Sequence, residues 1–184
     1  MAVLAIAGSG RGAGKTAVGC ALIAAMAELR WVAVKVTPHA HGIAPGSREE
    51  LDRDSEKDTG RYLRAGARRA FLVTASDDAT DDVALVRGIA SECDSILIET
   101  NLELAGLISS NERAARLAVL AGAPEDWKYS LRGAAERADG LVLTAGLLPN
   151  ELVAELRLKP VFTFAHDVWS SPELVQFMRG KLMA

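Results

Sequence analysis

Gly8-Ser9-Gly10-Arg11-Gly12-Ala13-Gly14-Lys15-Thr16 is the stretch whose reading decides the fold. An apolar run, Val3 to Ala7, precedes it, and Lys15 to Arg30, apolar on nearly every side, follows it. A strand, a glycine turn and a helix in that order bring backbone N–H groups close around one point, where the helix end also favours negative charge. This is the context of a phosphate-binding loop. In that pattern Lys15 reaches the β- and γ-phosphates of a nucleotide and the Thr16 hydroxyl binds Mg²⁺. The expected nucleotide-binding set is Gly10, Gly12, Ala13, Gly14, Lys15, Thr16 and Ala17. The pattern G-x-x-x-x-G-K-[ST] has glycine where Ser9 stands, and serine is small enough for a relaxed first position. Arg11 either contacts phosphate, acts as a built-in arginine finger, or points into solvent. Gly10 occupies the place, five before Lys15, where partition-type ATPases carry a signature lysine.

Working outward, further apolar runs lie at Val32 to Val36, Ala70 to Thr74, Ile96 to Thr100, Leu117 to Leu120, Leu141 to Thr144 and Val161 to Phe164. They are continuous rather than alternating, as in strands covered on both faces. Helical stretches are expected at Asp58 to Gly66, Asp81 to Glu92, Pro124 to Arg137, Asn150 to Leu156 and Pro172 to Gly180. Alternating strands and helices predict an α/β fold: a three-layer P-loop NTPase arrangement, with a mostly parallel sheet and helices on both faces. The 184 residues suit one domain spanning 1–184. Thr37 to Lys57, rich in Pro, Gly and mixed charge, reads as the least structured connection, and so long a loop is usually functional or mobile.

Composition narrows the function classes. Hydrophobic residues make up 49%, too many for a disordered chain. No apolar run approaches the ~20 residues of a membrane span. With 21 Lys and Arg against 24 Asp and Glu, the formal charge is −3, which disfavours nucleic-acid binding through general basicity. No secretory signal is visible and the two cysteines make no framework, so a cytoplasmic location is expected. Cys20, in the first helix, reads as a small packed apolar residue.

Such a loop needs a carboxylate near its Mg²⁺, at the end of a neighbouring strand. Ser95-Ile96-Leu97-Ile98-Glu99-Thr100 delivers Glu99 to a strand's carboxyl end, where open α/β sheets place ligands. Glu99 would hold the ion through water or orient the nucleophile, so Lys15, Glu99 and Arg11 form the expected catalytic set. Thr16, Glu99 and Asp58 form the expected metal set, with Asp58 alternatively a helix cap. Lys35, closing the second strand, binds an anionic group or stands at the rim. His39 and His41 have no third metal ligand and read as loop residues or substrate contacts. Arg61, Arg64 and Arg68 would share one helix face, gripping a phosphate-bearing partner or facing solvent. No [NT]-K-x-D motif occurs, and Ala145-Gly146 follows Thr144, so base preference, GTP or ATP, stays open.

These residues together resemble the molybdopterin-guanine dinucleotide biosynthesis protein B (MobB) family, within the broader signal-recognition, MinD and BioD class. The similarity lies in the loop Ser9 to Thr16 and in Val34-Lys35-Val36-Thr37-Pro38-His39-Ala40-His41. It extends through Lys57-Asp58-Thr59-Gly60-Arg61-Tyr62-Leu63-Arg64-Ala65-Gly66-Ala67, the most specific match, and Leu97-Ile98-Glu99. The chain departs from the family pattern where Thr100 and Asn101 stand for Gly-Phe. The resemblance implies an accessory protein of molybdenum cofactor maturation, with GTP and Mg²⁺, weak hydrolysis and a homodimer. Molybdopterin and a molybdenum-cofactor assembly enzyme would be its partners. Two other functions fit a P-loop chain: an ATP-dependent ligase or kinase like dethiobiotin synthetase, and a nucleotide-dependent adaptor without turnover. Against the first, Ile98-Glu99-Thr100-Asn101-Leu102 stands where a glycine-rich segment would follow the strand.

Overall fold

A computed structural model describes residues 1–38, 44–102, 113–121, 130–144, 159–165 and 167–184. In chain order the described elements are β1 (Ala2–Gly8), α1 (Lys15–Ala25), a single 3₁₀ turn (Ala27–Leu29), β2 (Trp31–Thr37), β3 (Gly46–Glu50), α2 (Asp58–Arg64) and β4 (Arg69–Thr74). Then come α3 (Ala79–Ala90), β5 (Ser95–Glu99), β6 (Arg113–Leu120), α4 (Ser130–Arg137), β7 (Gly140–Leu143), β8 (Val161–Thr163) and α5 (Pro172–Leu182). His39, His41 and the helix expected at Asn150 to Leu156 lie outside the described residues, as does the first part of the one expected from Pro124.

The strands form one sheet in the order β3-β4-β2-β5-β1-β6-β7-β8. Every pairing is parallel except β3 with β4. Side chains alternate between the two faces of a strand, and both faces here are apolar. Leu4, Ile6, Ala33, Leu97, Leu117 and Val142 point toward one layer, packing with Val18, Leu22 and Ile23 of α1, Tyr62 and Leu63 of α2, and Leu174 and Met178 of α5. Val3, Val34, Val36, Ile96 and Ile98 point the other way, onto Val86 and Ala90 of α3. On that same side of the sheet Ala118, Leu120, Leu141 and Leu143 meet Ala135 of α4. This explains the unbroken apolar runs: both faces are buried. The fold is therefore α/β, with helices on both faces of a mostly parallel sheet.

The stretch Thr37 to Lys57 is not structureless throughout, since Gly46–Glu50 adds the antiparallel edge strand β3. Its sequence, Gly-Ser-Arg-Glu-Glu, has almost no strand propensity of its own. Charge instead of apolar burial fastens this edge: Glu49 accepts from Arg69 Nε at 2.7 Å and Nη2 at 2.9 Å. Charged residues on an edge also discourage pairing with other chains. The Arg61, Arg64 and Arg68 face does not form either. Helix α2 stops at Arg64, the Ala67 N–H donating back to the Tyr62 carbonyl at 3.0 Å. Arg64 turns to the carbonyls of Arg53 and Ser55, and Arg68 lies beyond the helix. Asp58 sits in the first turn, with Lys57 at the cap position, and makes no capping bond.

Leu22 is fully buried between the sheet and α1's neighbours. Leu22→Ala should cost about 2–5 kcal/mol, read as a lower urea midpoint at unchanged slope. A change under about 1 kcal/mol would contradict this packing.

Candidate functional site

The loop after β1 is fixed before any ligand arrives. β1 runs between β5 and β6, so the loop leaves the sheet between the carboxyl ends of those two strands. The Ser9 N–H donates to the Val119 carbonyl at 2.9 Å, and the Gly8 N–H to Asn101 Oδ1 at 3.0 Å. A Cβ on Gly8 would lie 2.8 Å from the Val119 oxygen and from Lys15 Cγ, so only glycine fits beside the lysine stem. Ser9 is buried, and its hydroxyl donates to the Ala121 carbonyl while accepting from the Ala121 N–H, both at 3.0 Å. Among the described non-glycine residues only Asp167 has left-handed φ, so Ser9 needs no glycine backbone and gains an anchor to β6. Gly14 does need it: its φ is +94° at the entry to α1, and a Cβ there would sit 2.6 Å from Trp169. Thr144, at the end of β7, donates to the Ala13 carbonyl at 2.9 Å and holds the loop from the far side. Lys15 folds back, its Nζ donating to the Gly10 carbonyl at 2.8 Å.

Strand register explains the polar cluster behind the loop. β5 lies between β1 and β2, pairing Glu99 with Ile6 on one side and Lys35 on the other. Glu99 and Lys35 share the parity of Leu97 and Ala33, which sends both toward α1 and α2. There Glu99, 2% exposed, is fully engaged. Its Oε2 accepts from Thr16 Oγ1 at 2.7 Å and from the Tyr62 hydroxyl at 2.5 Å, while Oε1 accepts from Lys35 Nζ at 3.1 Å. Lys35 also donates to Asp58 Oδ2, and Asp58 Oδ1 lies 3.4 Å from Arg61 Nη1. Burial pushes the Tyr62 hydroxyl well above its ordinary value, and the Glu99 charge adds to this, so Tyr62 stays a donor. Burial likewise pushes the Cys20 thiol up to about 11, in keeping with a packed side chain.

Of the residues singled out in the sequence, Arg11, Gly12, Ala13, Gly14, Lys15, Thr16, Ala17, Lys35, Asp58 and Glu99 line one cleft of about 890 Å³. Gly10 does not line it and contributes through its carbonyl to Lys15. Arg61 does line it. Sequence reading missed Tyr62, Asn101, Thr144 and Trp169. Tyr62 was legible in principle, since it falls four residues after Asp58 and so one helical turn on.

Thr16, Glu99 and Asp58 offer hard oxygens, the donor type Mg²⁺ takes. Among the described residues no group of three or more His, Cys, Asp or Glu stands close enough to hold a metal ion.

No protein-family model matches the chain, and no curated protein matches it. Solved structures do. Hydrogenase maturation factor HypB from Archaeoglobus fulgidus superposes with a TM-score of 0.63 at 17% identity, covering 98% of this chain and 89% of that one. HypB from Helicobacter pylori, in complex with nickel, gives 0.52 at 14% identity, covering 98% and 84%. A MobB protein homolog from Bacillus stearothermophilus gives 0.41 at 16%, covering 89% and 88%, too distant a match to argue from. At these identities the likeness is one of fold, and the fold is that of the P-loop NTPases. Among the described residues no helix is long and apolar enough to cross a membrane.

The Lys35 cluster sets a pH dependence. Burial opposes charge on Asp58, but the Lys35 bond and charge, with Thr16 and Arg61, hold its carboxyl below the ordinary 3.8. Burial also opposes charge on Lys35, and Glu99 and Asp58 hold it above the ordinary 10.5. A depressed carboxyl adds stability above its unfolded value and loses it as pH falls through its folded value. A raised lysine adds stability below its unfolded value and loses it as pH rises through its folded value. Both contributions are whole near neutrality. Lys35→Met should therefore lower the urea midpoint more at about pH 7 than at about pH 3. An equal deficit at both would contradict the pairing.

Proposed function

We propose that the chain is a Mg²⁺-dependent nucleoside-triphosphate-binding accessory protein in the maturation of a metal cofactor. In its most specific form it is MobB-like, acting with GTP in molybdenum cofactor biosynthesis. The observation that carries the nucleotide reading is the Thr16–Glu99 hydrogen bond of 2.7 Å directly behind a fastened glycine loop. It joins the hydroxyl and the carboxylate that such sites use together.

In this reading the loop amides from Gly12 to Ala17 and the Lys15 ammonium bind the phosphates. Lys15 exchanges the Gly10 carbonyl for phosphate oxygen. Thr16, Glu99 and Asp58 hold a hydrated Mg²⁺, which neutralises phosphate charge when bound. Lys35, already tied to Glu99 and Asp58, keeps both carboxylates in place. Arg11, exposed at the cleft's rim, adds positive charge to the γ-phosphate, and hydrolysis is weak. The accessory role is supported by the sequence resemblance to MobB and by the shared fold of a protein named as a hydrogenase maturation factor. Molybdopterin, an assembly enzyme of the same pathway and a second copy of the chain are the partners, in the cytoplasm. One domain, 1–184, carries the whole site.

Titration calorimetry with Mg²⁺ and GTP or ATP tests the site. Lys15→Ala should abolish binding, and Thr16→Ala should remove its dependence on Mg²⁺. Unchanged affinity in Lys15→Ala would sink the assignment. Adding molybdopterin to the nucleotide-bound protein tests the pathway: tighter nucleotide binding supports it, and a phosphorylated or ligated small-molecule product would favour the dethiobiotin synthetase type instead.

A further inference from the structure

The cleft is lined by chemically unlike groups. Lys35, Asp58, Glu99 and Arg61 form a charged cluster in it. Trp169 is the one aromatic side chain among the described residues lining it. We infer that Trp169 is the platform on which the base of the bound nucleotide stacks. This rests on the nucleotide reading of the same cleft. A nucleoside triphosphate combines a polyanion with a flat π-system. With the phosphates in the Lys15 loop, Trp169 is the one described side chain lining the cleft that offers the base a π face.

Local structure holds that ring in place. The Val168 N–H donates to the Ala165 carbonyl at 3.1 Å, closing a turn in which Asp167 adopts φ 64°. Asp is among the non-glycine residues that adopt left-handed φ most readily, which suits Asp167 to this turn. Two residues past Trp169 the Ser171 hydroxyl accepts from the Leu174 N–H at 3.3 Å and starts α5. Trp169 is thus fixed by a turn before it and a capped helix after it. Its six-membered ring lies against Gly14, where a Cβ would approach Cζ3 to 2.6 Å and Cε3 to 3.2 Å. The ring therefore stands one residue from Lys15, directly beside the phosphate loop.

Burial separates this ring from an ordinary core tryptophan. Trp31 is 1% exposed and its indole Nε1 donates to the Met26 carbonyl at 3.0 Å. Trp169 is only partly buried: it packs on the α1 side of the core and keeps surface in the cleft. Stacking needs only a π face, so it does not tell guanine from adenine. That agrees with the absence of an [NT]-K-x-D motif.

Affinities of the full chain for GTP, ATP, CTP and inorganic tripolyphosphate, each with Mg²⁺, test the proposal. In the wild type GTP, ATP and CTP should all bind more tightly than tripolyphosphate. Trp169→Ala should weaken GTP and ATP roughly ten- to hundred-fold and leave tripolyphosphate unchanged, while Trp169→Phe should keep most of the affinity. Equal weakening of tripolyphosphate by Trp169→Ala would mean that the ring only packs the loop, and unchanged GTP and ATP affinity would mean that no base touches it. Either result overturns the platform while leaving the loop assignment standing. A wild-type chain that binds neither nucleotide nor tripolyphosphate would instead overturn the nucleotide reading, and the platform with it.

Discussion

A carboxylate with 2% of its surface exposed is costly inside a protein unless donors surround it, and Glu99 is surrounded. Thr16 from the start of α1, Tyr62 from α2 and Lys35 from β2 all converge on its two oxygens. One side chain on the central strand β5 therefore ties together the four elements that build the cleft. Removing any one of those donors would leave buried charge short of a partner, which is costlier than losing an exposed ion pair. The glycine loop inherits its position from this arrangement, because Thr16 is both the first turn of α1 and a donor to Glu99.

Sheet topology makes the convergence possible. β5 inserts between β1 and β2, so the strand leading to the phosphate loop and the strand carrying Lys35 flank Glu99 in register. Alternation along the strand does the rest. Ile96 and Ile98 face α3, leaving Leu97 and then Glu99 to face α1 and α2. A shift of one residue in that register would turn Glu99 away from Thr16. Lys35 meanwhile supplies the positive charge that two neighbouring carboxylates require.

Much of this could be read from the residues. Seven apolar runs marked seven of the eight described strands, because burial on both faces leaves an unbroken apolar signature. The eighth, β3, escaped because Gly-Ser-Arg-Glu-Glu is held by Glu49–Arg69 contacts rather than by apolar surface. That the loop and Glu99 share one cleft was legible because a glycine run between strand and helix and a carboxylate at a strand's end are local patterns. What escaped depended on contacts remote in sequence: Asn101 reaching Gly8 across 93 residues, Thr144 reaching Ala13 across 131, and Trp169 lying against Gly14. The arginine face failed for a local reason: the helix ends at Arg64, and helical spacing stops meaning anything beyond that point.

In the proposed site, nucleotide binding exchanges partners at the loop. A crystal structure with Mg²⁺ and a non-hydrolysable nucleoside triphosphate would test it most directly. Phosphates are expected inside Gly12 to Thr16, with Lys15 Nζ moved from the Gly10 carbonyl to phosphate and the Thr16 hydroxyl moved from Glu99 to the metal. A nucleotide bound elsewhere, with the Lys15–Gly10 and Thr16–Glu99 bonds intact, would contradict it.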